Sequence, residues 1–185
     1  MSIKMLKQMH HTVQTITGYP FFIVGGAVRD TLYGVEPKDY DCVLCMPDWC
    51  EEEAFHYLED MSCRFNTLGA TTKVYQSYGL NMGEEVNPTS FQAMFLGCMK
   101  VGMKHSQLDI LISRAHTIRG HVQKHDCNMN MVWFNGDRIC WEHSGDTAKV
   151  DTLVFNPDVV EERVRRMDLK RHELVRHAIL NNVAL

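Results

Sequence analysis

The chain has 185 residues, of which 45% are hydrophobic and 23% charged, enough for one good core with at most a small appendage and too apolar for a disordered chain. Its net charge of −4 argues against a protein that coats nucleic acid non-specifically, which needs a broad excess of Lys and Arg. No apolar run is long enough to span a bilayer, residues 1–5 lack a signal-peptide core, and the seven cysteines form no close-set framework, so the expectations are a cytoplasmic location, no membrane partner and reduced thiols.

In chain order, Ile3, Leu6, His10, Val13 and Ile16 recur near helical spacing before Gly18 and Pro20, which predicts a helix over 2–17. Phe21-Phe22-Ile23-Val24 reads as a buried strand that ends at Gly25-Gly26, and a short helix follows over 27–33, stopped by Gly34. Pro37 forces an extended entry into a strand over 39–45. Asp48 and Glu51, three apart, predict a capping box that opens a helix running to about Asp60. Strands are expected over 71–78, 91–99 and 107–112, with a polar loop over 79–90. Asn135-Gly136-Asp137 joins Val132-Trp133-Phe134 to Arg138-Ile139-Cys140-Trp141 in a hairpin. Asn156 as N-cap and Pro157 at the first helical position start a long final helix, with Val160, Val164, Met167, Leu174 and Ala178 on one face. Arg163, Arg165, Arg166, Lys170, Arg171 and Arg176 make its basic face. The sum is an α+β chain with a mixed sheet flanked by helices and a short C-terminal helical segment. The one boundary proposed falls near Asp151, dividing 1–150 from 151–185.

The chemistry concentrates in Val24-Gly25-Gly26-Ala27-Val28-Arg29-Asp30 and in Asp39-Tyr40-Asp41. Two glycines after a strand let backbone N–H groups approach a polyphosphate. Residues two apart on a strand share a side, so Asp39 and Asp41 can face one site while Tyr40 faces away. Paired carboxylates suit magnesium, with manganese as the substitute ion, in a site completed by phosphate oxygens and water. Asp109, an acid between Leu108 and Ile110, is the candidate third ligand or base, because an acid in an apolar strand is costly without a compensating charge. Cys42 and Cys45 have half a zinc spacing, but three residues apart on a strand they face opposite sides.

These residues resemble the head domain of class II CCA-adding enzymes and bacterial poly(A) polymerases, members of the polymerase-beta nucleotidyltransferase superfamily. The resemblance covers residues 21–135. A second element, His125-Asp126-Cys127-Asn128-Met129-Asn130, is similar to that family's Arg-Asp-Phe-Thr-hydrophobic-Asn motif, with Asp126 and Asn130 at matching positions and His125 and Cys127-Asn128 as departures. The resemblance implies a polymerase-beta-like fold and two-metal transfer of a nucleoside monophosphate from an NTP, ATP or CTP first, to an acceptor hydroxyl. Asp39 and Asp41 would be metal ligands, and with Asp109 the catalytic acids. Gly25, Gly26 and Arg29 would hold the triphosphate, and Asp126 and Asn130 the ribose. The first acceptor expected is an RNA 3′ end. Glu161-Glu162-Arg163-Val164-Arg165 only loosely echoes the family's Glu-Asp-x-x-Arg neck motif, so 151–185 reads as a remnant of a neck. Arg163, Arg166 and Lys170 are its candidate RNA contacts, against the plainer reading of a solvated basic face. Two other functions stay open: nucleotidylation of a protein or small molecule, and an inactive nucleotide-binding or interaction module.

Overall fold

The computed structural model describes residues 3–76, 91–142 and 153–183. Five helices, α1 (Ile3–Thr17), α2 (Gly26–Leu32), α3 (Glu51–Thr67), α4 (Ile118–Val122) and α5 (Glu161–Leu180), accompany seven strands. The strands are β1 (Phe22–Val24), β2 (Asp39–Cys45), β3 (Thr71–Tyr75), β4 (Phe95–Gly102), β5 (Gln107–Ser113), β6 (Val132–Phe134) and β7 (Ile139–Trp141). They form one sheet in the order β3-β4-β5-β2-β1-β6-β7. β2 and β5 run parallel, and the other neighbours are antiparallel. The α+β class and mixed sheet expected from the sequence are therefore present. No helix among the described residues is long and apolar enough to cross a membrane.

The pleat sorts the two faces. Tyr40, Cys42 and Leu44 of β2, with Leu108, Ile110 and Ile112 of β5, are buried in the main core with Leu6 and Val13 of α1 and Leu58, Met61 and Phe65 of α3. Val43 and Leu111 belong to a second apolar cluster with Cys98, Val122 and Trp133, so the opposite face is apolar in its middle. Because alternate residues share a face, Asp39, Asp41 and Asp109 stand on this second face, toward the N-terminal ends of β2 and β5. Cys42 lies in the main core while Cys45 packs on the second cluster, and both are free thiols.

Three expectations need correction. The capping box of α3 is formed by Cys50 and Glu53 instead of Asp48 and Glu51, and the helix runs on to Thr67 because Met61 and Phe65 continue the buried stripe of Ala54 and Leu58. The fourth strand begins at Phe95 and continues to Gly102, while residues 91–94 form a 3-10 turn. Finally, α5 starts at Glu161 with Val160 as its N-cap. Asn156 lies four residues before Val160, and its side chain is turned to the 123–125 segment, where the amide donates to the carbonyls of Gln123 and His125. Residues 77–90, including the polar loop, and the boundary near Asp151 lie outside the described residues.

Segment 153–156 carries the chain along the 125–130 motif before α5 begins. Cys127 bridges Phe155, Asn128 N–H donates to Val154 O at 3.0 Å, and Asn156 N–H donates to Asp126 O at 2.9 Å. Helix α5 then buries Met167, Leu174 and Ala178 against Tyr33, Cys127 and Met129. A third apolar cluster thus seats the last helix beside the end of α2 and the motif loop.

Candidate active site

Register brings the sequence-predicted residues together. In the parallel β2–β5 pair Asp41 stands opposite Asp109 and Asp39 opposite Gln107. In the antiparallel β1–β2 pair Val24 stands opposite Asp41, so the chain leaves β1 through Gly25 at the end of the sheet where Asp39 begins β2. β6 lies antiparallel on the other side of β1, and Gly25 N–H donates to Val132 O at 3.0 Å. The 125–130 motif, which runs into β6, therefore arrives at the same end.

The turn itself requires glycine at one position. Gly25 has φ 63° and ψ −128°, a conformation that a side chain strongly disfavours. A Cβ there would also come within 3.4 Å of the His125 ring. His125 donates its Nδ1–H to the Asn130 carbonyl at 2.6 Å, and burial lowers its pKa, so the neutral ring is the favoured form. The histidine that departs from the motif thus braces the motif loop against the glycine turn.

The three acids repel one another. Asp41 is pushed up to about 7 by burial first, and then by the like charges of Asp109 and Asp39, against the pull of Arg163 and Lys100. Asp109 is raised as well, chiefly by burial, while Gln107 Nε2–H donates to its Oδ1 at 3.0 Å and Lys100 pulls the other way. Lys100 is a residue that the linear sequence does not reveal. It stands opposite Asp109 only because β4 pairs antiparallel with β5, and no local pattern announces that pairing.

The donor set fits a hard divalent cation that is shared with substrate. It is made of carboxylates, two of which, Asp41 and Asp109, have raised pKa values, and a cation would relieve their repulsion. Among the described residues no group of three His, Cys, Asp or Glu side chains is gathered tightly enough to hold a metal by itself.

The second half of the site is a network of charges. Arg29, buried, donates through Nε to Asp30 Oδ1 at 2.8 Å and through Nη1 to Asn130 Oδ1 at 2.5 Å, and its Nη2 lies 3.6 Å from the Cβ that Gly26 lacks. Asn130 Nδ2–H donates to Asp126 Oδ1 at 2.7 Å. Asp126 in turn receives Arg163 of α5, and Asp30 receives Lys170 Nζ at 3.2 Å. For Asp126, burial opposes the charged form, but the bonds from Asn130 and Arg163 outweigh it and keep the carboxyl below the usual range. Gly26, Arg29, Asp126 and Asn130 are therefore joined directly or at one remove. Of the three candidate RNA contacts, Arg163 and Lys170 reach the acids Asp126 and Asp30, while Arg166 is exposed. A surface cavity of about 490 Å³ beside α1, lined by Lys7, His10, His11, Asn135 and Asp137 among others, includes none of these groups.

No family model and no curated protein matches the chain. Among solved structures it is similar to a tRNA-processing enzyme in its apo form, at 17% identity and TM-score 0.45 over 83% of this chain and 32% of that one. It is also similar to a CCA-adding enzyme in complex with ATP, at 21% identity and TM-score 0.43 over 71% of this chain and 26% of that one. A third is the Thermotoga maritima CCA-adding enzyme complexed with tRNA, at 22% identity and TM-score 0.41 over 70% of this chain and 25% of that one. The chain spans about a third or less of the length of these structures.

Proposed function

We propose that the chain is a metal-dependent nucleotidyltransferase that moves a nucleoside monophosphate from an NTP to an acceptor hydroxyl, with release of pyrophosphate. The observation that carries this reading is the register that sets Asp41 opposite both Asp109 and Val24, so that the acids and the Gly25-Gly26 turn share one end of the sheet. A short segment that joins a phosphate-sized backbone turn to paired carboxylates is what phosphoryl chemistry needs, since most of its catalysis is positioning and charge stabilisation.

In this reading Asp39 and Asp41 hold magnesium, or manganese in its place. The bound ion supplies charge neutralisation at the phosphates and lowers the pKa of the attacking hydroxyl. Asp109, whose pKa is raised, is placed to accept the proton of that hydroxyl or to complete the ligand set. Gly25 and Gly26 leave backbone free for the triphosphate, Arg29 stands beside Gly26 with its guanidinium bonded to Asp30 and Asn130, and Asp126 and Asn130 orient the ribose. The motif resemblance favours an RNA 3′ end as acceptor and ATP or CTP as donor.

The test is to incubate the protein with magnesium, each labelled NTP and either truncated tRNA or total cell protein, while following pyrophosphate release. Label on RNA, lost in Asp41→Asn, is the expected result. Label on protein alone would overturn the RNA acceptor. NTP binding without pyrophosphate release under any of these conditions would overturn the enzymatic reading.

A further inference from the structure

The basic face of α5 is not uniform. Arg165 is exposed and spans one helical turn to Glu161 at 2.5 Å, and Arg166 and Arg176 are exposed. Arg163 reaches Asp126 and Lys170 reaches Asp30, although the Lys170 ammonium also lies 3.2 Å from Glu173 on the same helix. Arg163 and Lys170 are seven residues apart, two helical turns, and therefore share a helix face, with buried Met167 between them.

From these two cations a continuous path of polar contacts runs through the head and closes on the same helix. Lys170 Nζ meets Asp30 Oδ2 at 3.2 Å, and Asp30 Oδ1 receives Arg29 Nε–H at 2.8 Å. Arg29 Nη1–H donates to Asn130 Oδ1 at 2.5 Å, and Asn130 Nδ2–H donates to Asp126 Oδ1 at 2.7 Å. Asp126 Oδ2 then receives Arg163. The Asn130 amide also reaches Met167 Sδ at 3.4 Å, which ties the middle of the ring to the helix face between the two cations.

Arg163 sits at the rim of the ring with its side chain 39% exposed, and the other charged members are more withdrawn from solvent. Arg29, Asp30 and Asp126 side chains are 7%, 13% and 14% exposed, and Lys170 is 19% exposed. Long side chains at such exposure are held instead of sampling rotamers freely, and the low local dielectric strengthens each contact in the ring. A cation whose charge is already met by carboxylates, as Lys170 is by Asp30 and Glu173 and Arg163 by Asp126, gains less from an RNA phosphate. It is well placed to fix the groups that it touches, as supporting contacts do around a binding constellation.

We propose that Arg163 and Lys170 are positioning residues of the nucleotide pocket, holding Asp126 and Asp30 and, through them, Asn130 and Arg29. The inference rests on the reading that Arg29, Asp126 and Asn130 contact the NTP, and it makes α5 a part of that pocket's construction. The two cations need touch no reacting atom, so their loss weakens NTP binding; Arg163 also exerts a pull on Asp41, and Lys170→Met is therefore the variant in which the chemical step is spared.

The experiment measures Kd for each magnesium NTP, kcat and KM in pyrophosphate release, and Kd for a tRNA transcript. It uses the full chain and its variants Arg163→Met, Lys170→Met, Asp30→Asn and the conservative pair Arg163→Lys and Lys170→Arg. Methionine keeps the apolar stem and removes the charge. Lys4→Met, an exposed site on α1, controls for loss of one positive charge. The expected result is a rise of about five- to twentyfold in NTP Kd and KM for the two methionine variants, with kcat within about twofold for Lys170→Met. The conservative variants should return Kd to within about threefold, and RNA affinity should stay at the level of Lys4→Met. Asp30→Asn combined with Lys170→Met should cost no more than the worse single change, since both break the same link. Should either methionine variant fail to melt cooperatively, Asp30→Asn carries the test alone. Unchanged NTP affinity in the folded variants, with RNA affinity lowered instead, would overturn the proposal in favour of an RNA contact. Absence of NTP binding by the unaltered chain would bring down the nucleotidyltransferase reading itself, which is a different outcome from normal binding that the variants leave untouched.

Discussion

Asp41 carries two opposed demands. Its carboxyl has an ordinary value of 3.8 and stands at about 7 in the folded chain, so the folded state holds a proton that the unfolded state has released. The stability this contributes is complete below about 3.8 and is lost as pH rises through 7. A metal-free sample is therefore expected to lose thermal stability between pH 4 and 7 and to level off above that, as followed by circular dichroism. Asp41→Asn should flatten this dependence and be the more stable form at pH 8, while abolishing pyrophosphate release, the trade expected where a site stores repulsion for function. Because a cation binds the carboxylate, magnesium affinity should increase from pH 6 to 8 with proton uptake by the buffer, measurable by calorimetry in buffers of different ionisation enthalpy. The pair Asp39 and Asp41 was legible from the alternation of β2 alone, as was Tyr40 on the other face. Gln107, two residues before Asp109 on the same strand, was open to the same alternation, whereas Lys100 was not, because the pairing of β4 with β5 supplies it.

At the scale of elements, α3 shows where local signals suffice and where they slip. Its buried stripe, Ala54, Leu58, Met61 and Phe65, has helical periodicity that can be read directly. Its start was ambiguous because two pairs three residues apart, Asp48 with Glu51 and Cys50 with Glu53, offer the same reciprocal geometry. The helix uses the cysteine, whose Sγ accepts Glu53 N–H at 3.5 Å while Cys50 N–H donates to Glu53 Oε2 at 2.8 Å. Sulfur is the weaker acceptor, and serine is among the preferred N-cap residues. Cys50→Ser is expected to stabilise the protein by about 0.5–1 kcal/mol, readable as a higher urea midpoint at unchanged slope. A lower midpoint would mean that the exposed thiol has packing which the cap geometry does not reveal.

At the scale of the molecule, the last helix is held by both chemistry and packing. Leu174, fully buried, meets the third apolar cluster with Tyr33 and Met129, and Gly34, with φ 72°, leaves room for His177, whose Nδ1–H donates to Tyr33 O at 2.8 Å. Leu174→Ala is expected to cost about 2–4 kcal/mol, measured by denaturant unfolding. Since the same helix carries Arg163 and Lys170, NTP affinity should fall with it. A second, earlier unfolding transition in that variant would show α5 leaving the sheet domain before the rest unfolds.

The sequence alone determined the α+β class, the strand that presents Asp39 and Asp41, the glycine turn and the amphipathic character of the final helix, because each depends on a periodicity of a few residues or on backbone freedom at one position. The seven-strand order, the alignment of Asp109 and Lys100 with Asp41, and the closure of Lys170 and Arg163 onto Asp30 and Asp126 were decided by tertiary structure. Those depend on contacts whose separation runs from nine positions, for Lys100 and Asp109, to 140, for Lys170 and Asp30, and their formation reflects burial and charge pairing summed over the whole chain instead of one segment's own pattern.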